Sequence, residues 1–437
     1  MFSISHEKLT LSNGLEVVLH QDHTLPIVDV NVWYHVGSKD EEMGRTGFAH
    51  LFEHVMFEGS ENHNSSFFEP LQKAGANLNG STTPDRTNYW EDVPSNYLEL
   101  ALWLEADRMG FLLGALDQQR FDIQRDVVKN ERRQSYENRP YGMAHWHLQE
   151  ALYPMPHPYH WMTIGAPEDL RAAKLEGAHQ FFRKYYHPGN ASLTLAGDVD
   201  TDQAISLARK HFEDIEPGPA SIPLNTDRSV VKSQGEIRLL IEDLVELPRL
   251  YLAWRTPALF LTGDAELDVL ADILTNGKAS RLYRKLVHDR RIVTDIAAAQ
   301  DSRELSSFFQ IVATAAPGHD LAEVEKAVTD EVDYIVDAGP STDDLERSMV
   351  QVESQFVYRL GTVGGFGGKS DQLNAYNVFV GDPGYFERDL MRYQDATISR
   401  IQEVSSCLSR TERVVLSVVP KGCHQLAVAD SRPVSVS

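Results

Sequence analysis

The spacing of apolar residues changes several times along the chain, and each change predicts an element. Between residues 5 and 38 apolar and polar residues alternate, which is typical of β-strands, with a hairpin turn at Asn13-Gly14. The spacing becomes helical from Phe48 to Phe57. Later segments repeat these two patterns and predict helices over 98–113 and 118–138 and a strand over 191–196. The first half is therefore predicted to be an α+β lobe.

The second half of the chain restarts this plan. Leu25-Pro26 precedes an apolar strand and then a helical stretch that ends in glycine, and Leu247-Pro248 precedes the same succession of patterns. Between the halves, the segment 216–223 is rich in proline and has little to bury, which is typical of a linker. We therefore expect two homologous lobes, 1–216 and 230–437, joined by a linker over 217–229. Each lobe should contain an antiparallel-rich sheet packed with helices.

Composition and charge narrow the classes of function. With 42% hydrophobic and 24% charged residues, the chain has the composition of a soluble globular protein. Its formal net charge of −23 repels phosphate backbones, so we expect no nucleic-acid partner and favour a basic or neutral peptide. No apolar run is long enough to span a bilayer, and the N-terminal residues alternate instead of forming a signal sequence. The default expectation is a cytoplasmic location, or a periplasmic one if a leader was removed.

The helical segment 47–57 carries two distinct faces. Its apolar residues recur at i, i+3, i+4 and i+7 and would bury one side, whereas His50, Glu53 and His54 share the other. Two imidazoles four residues apart stand one helical turn above each other, within reach of a single zinc ion. Glu53 lies beside them, where a carboxylate can act as general base, and the H-x-x-E-H order is a known inverted zinc motif. The alternative is that three polar residues coincide on a solvated helix face.

The segment 47–59, GFAHLFEHVMFEG, resembles the signature of pitrilysin/insulinase-type peptidases. In that family the third zinc ligand is a glutamate on a later helix, within a segment that reads approximately R-[ED]-V-V-x-x-E. The segment 125–131, RDVVKNE, is similar to it. The resemblance implies that Glu131, 77 positions after His54, completes a site for one Zn²⁺ ion. Glu137 is the nearest competing carboxylate on that helix.

The same resemblance implies further contacts around the metal. Where the family has a glutamate seven residues before the third ligand, this chain has Gln124, a candidate for a contact behind the ligands. The segment 75–83, GANLNGSTT, resembles the family's edge strand, which pairs with an extended peptide beside the metal. It implies substrate contacts at Asn79, Gly80 and Thr82, with glycine at 80 where alanine is usual. A polar hairpin is the alternative interpretation of this segment.

The resemblance extends over nearly the whole chain, including the segments 181–190 and 195–198, and implies two lobes that enclose a peptide chamber. Only the first lobe carries the zinc motif. In the second lobe, the rough equivalents of His50, Glu53 and His54 are, in that order, Asp268, Ala271 and Asp272. We therefore expect no second metal site.

A departure from the family pattern predicts a partner. Active relatives carry an arginine and, seven residues later, a tyrosine in the second lobe, where Val287 and Thr294 stand in this chain. We expect a homologous subunit to supply the missing pair. The alternative is a shifted alignment in which Arg284 or Arg290 takes the role of the arginine.

These observations predict a zinc-dependent endopeptidase that hydrolyses short or unfolded peptides by metal-activated water, as the catalytic subunit of a heterodimer. The alternatives are a noncatalytic assembly protein on the same scaffold and a zinc-dependent peptide-binding module. The glycine-rich run 361–368 does not match a phosphate-binding loop, because Val363 stands where that motif needs glycine. We expect a flexible loop near the peptide instead.

Overall fold

The computed structural model describes residues 3–219 and 235–435, which form two compact units. Among the described residues, the first unit comprises 3–130, 161–219 and 355–388. The second unit comprises 131–160, 235–354 and 389–435. The predicted boundary at 217–229 stays a prediction, because residues 220–229 lie outside the described residues.

Each unit is built on one six-stranded sheet within the described residues. The strands, in chain order, are β1 Glu7–Thr10, β2 Glu16–Gln21, β3 Ile27–Tyr34, β4 Asn77–Thr82, β5 Thr87–Pro94, β6 Ala191–Gly197, β7 Ile237–Asp243, β8 Arg249–Thr256, β9 Val293–Asp301, β10 Ser307–Ala315, β11 Val414–Pro420 and β12 Arg432–Pro433. The first sheet has the order β1-β2-β6-β3-β5-β4 and the second has the order β12-β7-β11-β8-β10-β9. In both sheets one inner pair is parallel, β2 with β6 and β11 with β7, and in the second sheet the edge strand β12 also pairs parallel with β7. This shared order confirms the predicted α+β fold of two homologous lobes.

Helices cover the sheets. In chain order they are α1 Phe48–Val55, α2 Phe68–Lys73, α3 Leu98–Ala115, α4 Gln118–Arg132, α5 Ala144–Leu152, α6 Pro167–Ala172, α7 Leu175–Tyr185, α8 Thr201–Phe212, α9 Asp264–Thr275, α10 Leu321–Ala338, α11 Thr342–Arg359, α12 Lys369–Val380, α13 Phe386–Gln394 and α14 Ile398–Ser405. No helix among the described residues is long and apolar enough to cross a membrane.

In the first unit, both faces of the central strand β3 are buried although only one of them is apolar. Val28, Val30 and Val32 lie on the apolar face and are fully buried. Asp29 and Asn31 lie on the other face and are also fully buried. A strand with this alternation is ordinarily solvated on its polar side, so another element must cover it here.

Helix α12 covers the polar face, and it does so with polar side chains. Asn374 donates from Nδ2 to the Asn31 backbone carbonyl at 2.9 Å and accepts the hydroxyls of Ser192 at 2.7 Å and Thr194 at 2.8 Å. Asp371 accepts the Trp33 indole N–H at 3.0 Å. Because buried polar groups need such partners, this network assigns α12 to the first sheet.

In the second unit, helix α5 and the residues after it join the core of the sheet. The buried cluster there combines Leu148, Tyr153 and Tyr159 with strand residues such as Leu239 and Leu416. The Tyr153 hydroxyl donates to the Ser306 carbonyl at 2.8 Å. The segments 131–160 and 355–388 therefore each group with the opposite unit from the one that their position along the chain suggests.

Candidate metal centre

Helix α1 presents its two sequence-predicted faces as expected. Phe48, Leu51, Phe52 and Val55 are all buried. Phe52 stacks on Phe181 of α7 with ring centroids 5.8 Å apart. His50, Glu53 and His54 lie on the opposite face and are partly exposed. The apolar face fixes the rotation of the helix, and that rotation turns the three polar side chains toward solvent.

The N-terminus of α1 is closed by a buried carboxylate. Gly47 precedes the helix with φ of 91°, a conformation that favours glycine. Glu41 accepts the backbone N–H groups of Gly47 at 2.9 Å and Ala49 at 2.8 Å. Burial raises the pKa of the Glu41 carboxyl to about 8, while these two donors favour its ionised form. Glu41 thus satisfies two of the N–H groups that a helix start leaves without intrahelical partners.

Three donor groups converge beside this helix. One donor atom each from His50, His54 and Glu131 lies within 4.8 Å of the other two. The two imidazole rings are 4.9 Å apart and nearly perpendicular. Glu131 lies in the last turn of α4, a helix whose residues up to Asn130 belong to the first unit. Two imidazoles and one carboxylate form a donor set that zinc accepts at catalytic sites, so these residues fit a zinc ion.

Of the two candidates for the third ligand, Glu131 and Glu137, only Glu131 lies beside the two histidines. Glu137 accepts the Arg132 guanidinium at 3.1 Å and does not belong to the converging group. Tyr136, in the π-helical turn that follows α4, lies close enough to Glu131 to sense its charge. Burial raises the pKa of the Tyr136 hydroxyl, and the negative charge of Glu131 adds to that effect.

Glu53 is held from the side by the edge strand. The Thr82 hydroxyl, at the end of β4, donates to Glu53 Oε2 at 2.7 Å. Arg86 fixes the turn after β4 by donating to the Ser81 carbonyl at 2.9 Å. Burial lowers the pKa of the Arg86 guanidinium, and the negative charges of Asp371 and Glu53 oppose that effect. Glu53 is therefore positioned by a neutral hydroxyl and lies near the partly buried guanidinium of Arg86.

The three residues predicted to contact substrate have different surroundings. Strand β4 is the last strand of its sheet, and Thr82 faces Glu53. Asn79 is exposed, and its side chain accepts the N–H of Gly80 at 2.8 Å. A Cβ atom at Gly80 would lie 3.1 Å from Tyr89 Cδ1 and 3.2 Å from Phe57 Cζ. This crowding gives a physical reason for glycine at 80.

Gln124 lies behind the converging donors. Its side chain is 8% exposed and donates from Nε2 to Glu58 Oε1. Glu58 lies in the turn after α1, so this contact joins the two helices that carry the donors. The sequence analysis selected Gln124 but did not identify Glu58 as its partner. The one sequence feature that points to Glu58 is its position four residues after His54.

The second unit offers no comparable site among the described residues. Helix α9 contains Asp268 and Asp272 without a third converging donor. Val287 is partly exposed and Thr294 lies exposed on β9, the last strand of its sheet. The nearby Arg281 forms ion pairs with Glu331 and Asp344, at 2.6 Å and 2.9 Å.

These features define a class of two-lobed α+β proteins with one candidate zinc centre on an inverted H-x-x-E-H helix. Two family models match the chain: insulinase, peptidase family M16, over residues 16–158, and the peptidase M16 inactive domain over residues 173–352. The chain belongs to the pitrilysin/insulinase-type peptidases. All three converging donors, His50, His54 and Glu131, lie within the first match, residues 16–158.

Relatives and solved structures agree with this family. The chain is 29% identical over 358 residues to the zinc protease PqqE of Helicobacter pylori, covering 81% of this chain and 80% of that protein. It is 28% identical over 325 residues to an uncharacterised zinc protease of Mycobacterium leprae, covering 74% and 72% of the two chains. The crystal structure of a protease from Helicobacter pylori superposes with a TM-score of 0.85 at 26% identity, covering 95% of this chain and 100% of that one. A peptidase M16 inactive domain from Pseudomonas fluorescens, 18% identical, shares the fold with a TM-score of 0.82 and coverage of 95% and 98%.

Proposed function

We propose that this protein is a zinc-dependent endopeptidase that acts on short or unfolded peptides. The observation that carries the proposal is the arrangement on α1: two histidines converge with Glu131, while Glu53 stands outside that group and is held by Thr82. If the three polar residues of α1 were only a solvated helix face, there would be no reason for the Glu131 carboxylate of α4 to converge on the two histidines.

His50, His54 and Glu131 would hold the zinc ion. One carboxylate and two neutral imidazoles would leave net positive charge and an open coordination position, which suits catalysis. Zinc, when bound, polarises a carbonyl and makes water acidic enough to react near neutral pH. Glu53 would take the proton of the attacking water on one carboxylate oxygen and pass it to the leaving amine. The Thr82 hydroxyl on the other oxygen would keep that carboxylate in position.

Strand β4 would bind the substrate. It is the last strand of its sheet, so one side of its backbone is available to pair with an extended peptide. Thr82 ends this strand and contacts Glu53, so a peptide paired with β4 would lie close to the base. Backbone pairing selects for extension more than for sequence, so unfolded peptides are the expected substrates.

We further propose that a homologous subunit completes the active enzyme. Val287 and Thr294 stand where active relatives have the arginine and the tyrosine. The nearby Arg281 forms ion pairs with Glu331 and Asp344 of its own unit, so it does not replace the missing arginine. Arg284 and Arg290 remain the alternative sources of a cation. A noncatalytic assembly or peptide-binding protein is the second candidate function, favoured by the inactive-domain match over residues 173–352.

The substitution Glu53→Gln tests the peptidase proposal. Glutamine keeps the shape of the side chain and can accept the Thr82 hydroxyl, but it cannot take a proton at neutral pH. We expect zinc content to remain that of the wild-type protein and peptide turnover to fall by roughly 10²–10⁴-fold. The measurements are metal analysis of the purified protein and cleavage of a quenched fluorescent peptide, with and without the homologous subunit.

Glu69→Gln is the matched control, because Glu69 is an exposed carboxylate paired with Lys73. It should leave both zinc content and turnover unchanged. Unchanged turnover in Glu53→Gln would remove Glu53 from the mechanism. Full zinc occupancy without turnover in the wild-type protein, even with its partner, would favour the noncatalytic alternative.

A further inference from the structure

Two contacts join the segment between α1 and α2 to helix α4. Gln124 donates to Glu58, and Arg120, one helical turn earlier, donates to Asn64. Glu131 lies two turns beyond Gln124 on α4. Residues at i, i+4 and i+11 share one face of a helix, so Arg120, Gln124 and Glu131 all face the α1 segment.

The order of these contacts is regular. Along α1 and the segment that follows it, the contact residues are, in chain order, His50, His54, Glu58 and Asn64. Along α4 their partners run the opposite way, from Glu131 through Gln124 to Arg120. The convergence of donors is thus the last of three successive contacts between two antiparallel segments.

The Glu58 contact lies nearest to the donors and has the character of a strong hydrogen bond. Gln124 is buried and uncharged, and Glu58 is partly buried. A hydrogen bond to an ionised carboxylate in a partly buried site is stronger than one between neutral groups. Leaving the Gln124 amide without a partner would cost free energy because it is shielded from water.

We propose that Glu58 and Gln124 are a positioning pair for the zinc site, which sets the affinity for the ion by fixing α4 against α1. The inference rests on the proposed zinc site. His50 and His54 share one helix, but Glu131 must be brought to them from another. A contact two turns away controls both the separation and the rotation of α4, and donors that converge before the ion arrives bind it more tightly.

The test is a double-mutant cycle on zinc affinity, measured by competition with a chromophoric chelator. Glu58→Ala and Gln124→Ala should each weaken zinc binding about tenfold. The double substitution should weaken it no further than either single one, because both break the same contact. Asp126→Asn, an exposed position on α4 paired with Lys129, is the control and should leave the affinity unchanged.

A reversed pair separates positioning from general damage to the fold. Gln124→Glu alone sets two carboxylates against each other and should weaken zinc binding at least as much as alanine. Adding Glu58→Gln exchanges donor and acceptor, and this double variant should return to within about threefold of the wild-type affinity. Circular dichroism of the metal-free proteins checks that every variant is folded.

The inference is overturned if the single variants bind zinc like the wild-type protein, or if the reversed pair stays as weak as Gln124→Glu. Zinc affinity is measured without peptide, so the result does not depend on turnover. A wild-type protein that binds zinc but cleaves nothing would reject the peptidase proposal and leave this test valid. A wild-type protein that does not bind zinc would overturn both.

Discussion

Asp29 shows how far a single residue can depart from the behaviour that its sequence position suggests. On a strand that alternates, Asp29 would be expected in solvent, yet it is fully buried opposite Asp92 on β5. Burial raises the pKa of Asp29 well above its usual range, and the negative charge of Asp92 raises it further. A Cβ atom at Gly364 would lie 2.0 Å from Asp92 Oδ1 and 2.4 Å from Asp29 Oδ2.

The glycine at 364 is therefore explained by close packing on these two carboxyls. The flexibility expected of this loop stays a prediction, and the loop contains hydrogen bonds, such as Gly367 N–H to Asp371 Oδ2 at 2.8 Å and Ser370 N–H to the Val363 carbonyl at 3.0 Å. A run of glycines in a sequence indicates small residues, but it does not distinguish mobility from close approach.

Substitution of Asp29 by asparagine should make stability less dependent on pH. Because its pKa is raised, native Asp29 keeps its proton while the unfolded chain releases it, so its contribution to stability is lost as pH rises above about 4. Asparagine resembles the protonated form. We expect Asp29→Asn to raise the free energy of unfolding by about 1–3 kcal/mol at pH 8 and to change it little at pH 4.5.

The measurement is the thermal unfolding midpoint across this pH range. Asp343→Asn, at an exposed position in the first turn of α11, serves as the control. A gain at pH 4.5 as large as the gain at pH 8 would contradict the titration argument.

At the scale of elements, the sequence predicted much of the fold. The hairpin at Asn13-Gly14, strand β3 and helices α1 and α3 lie where periodicity puts them. The helix predicted over 118–138 ends at Arg132 and continues as a π-helical turn. Periodicity reports which face of an element is buried, but it does not report which sheet buries it.

Helix α12 illustrates this limit. Phe379 packs edge-to-face on Trp33, but the hydrogen bonds of α12 to the first sheet are made by asparagine, serine and aspartate, so polar residues mark much of the contacting face. The candidate site was predicted more completely, because H-x-x-E-H spacing encodes the relative positions of two donors and the base within one helix. Glu131 could be assigned only through family resemblance, since the packing of α4 on α1 is not a local property.

Removing the central polar contact of α12 should destabilise the first unit. Asn374→Leu keeps the branched shape and the number of heavy atoms but removes the acceptor of the Ser192 and Thr194 hydroxyls and the donor to the Asn31 carbonyl. We expect a loss of about 2–4 kcal/mol, which chemical denaturation would detect. Asn276→Leu is the control, because Asn276 is exposed at the end of α9. Equal stability in both variants would show that the polar network contributes little.

At the scale of the whole molecule, the two halves have diverged around one shared sheet order. The first carries the converging donors, and the model described as inactive matches residues 173–352, which include much of the second. This asymmetry is the physical basis for proposing that catalysis needs groups from another chain. The proposal concerns the surface of the second unit near Val287 and Thr294. It does not involve the candidate zinc ligands.

Restoring the missing pair within this chain tests the partner proposal. Val287→Arg with Thr294→Tyr should raise peptide turnover of the isolated chain by about tenfold or more, because charge and hydroxyl groups then come from the same polypeptide. Both positions are at least partly exposed, so the larger side chains have room. Val287→Met with Thr294→Phe is the control, which adds similar bulk without the positive charge and the hydroxyl. Full turnover of the unmodified chain, unchanged by a homologous subunit, would reject the proposal.

The exchange of segments between the units has a consequence for synthesis. Within the described residues, the cover of the polar face of the first sheet includes Gly364 and helix α12, which leave the ribosome after more than four fifths of the chain has been made. Until then Asp29, Asn31 and their neighbours face water or a chaperone. The first unit, which carries helix α1 and the candidate zinc ligands His50 and His54, therefore completes its packing only after most of the polypeptide has been made.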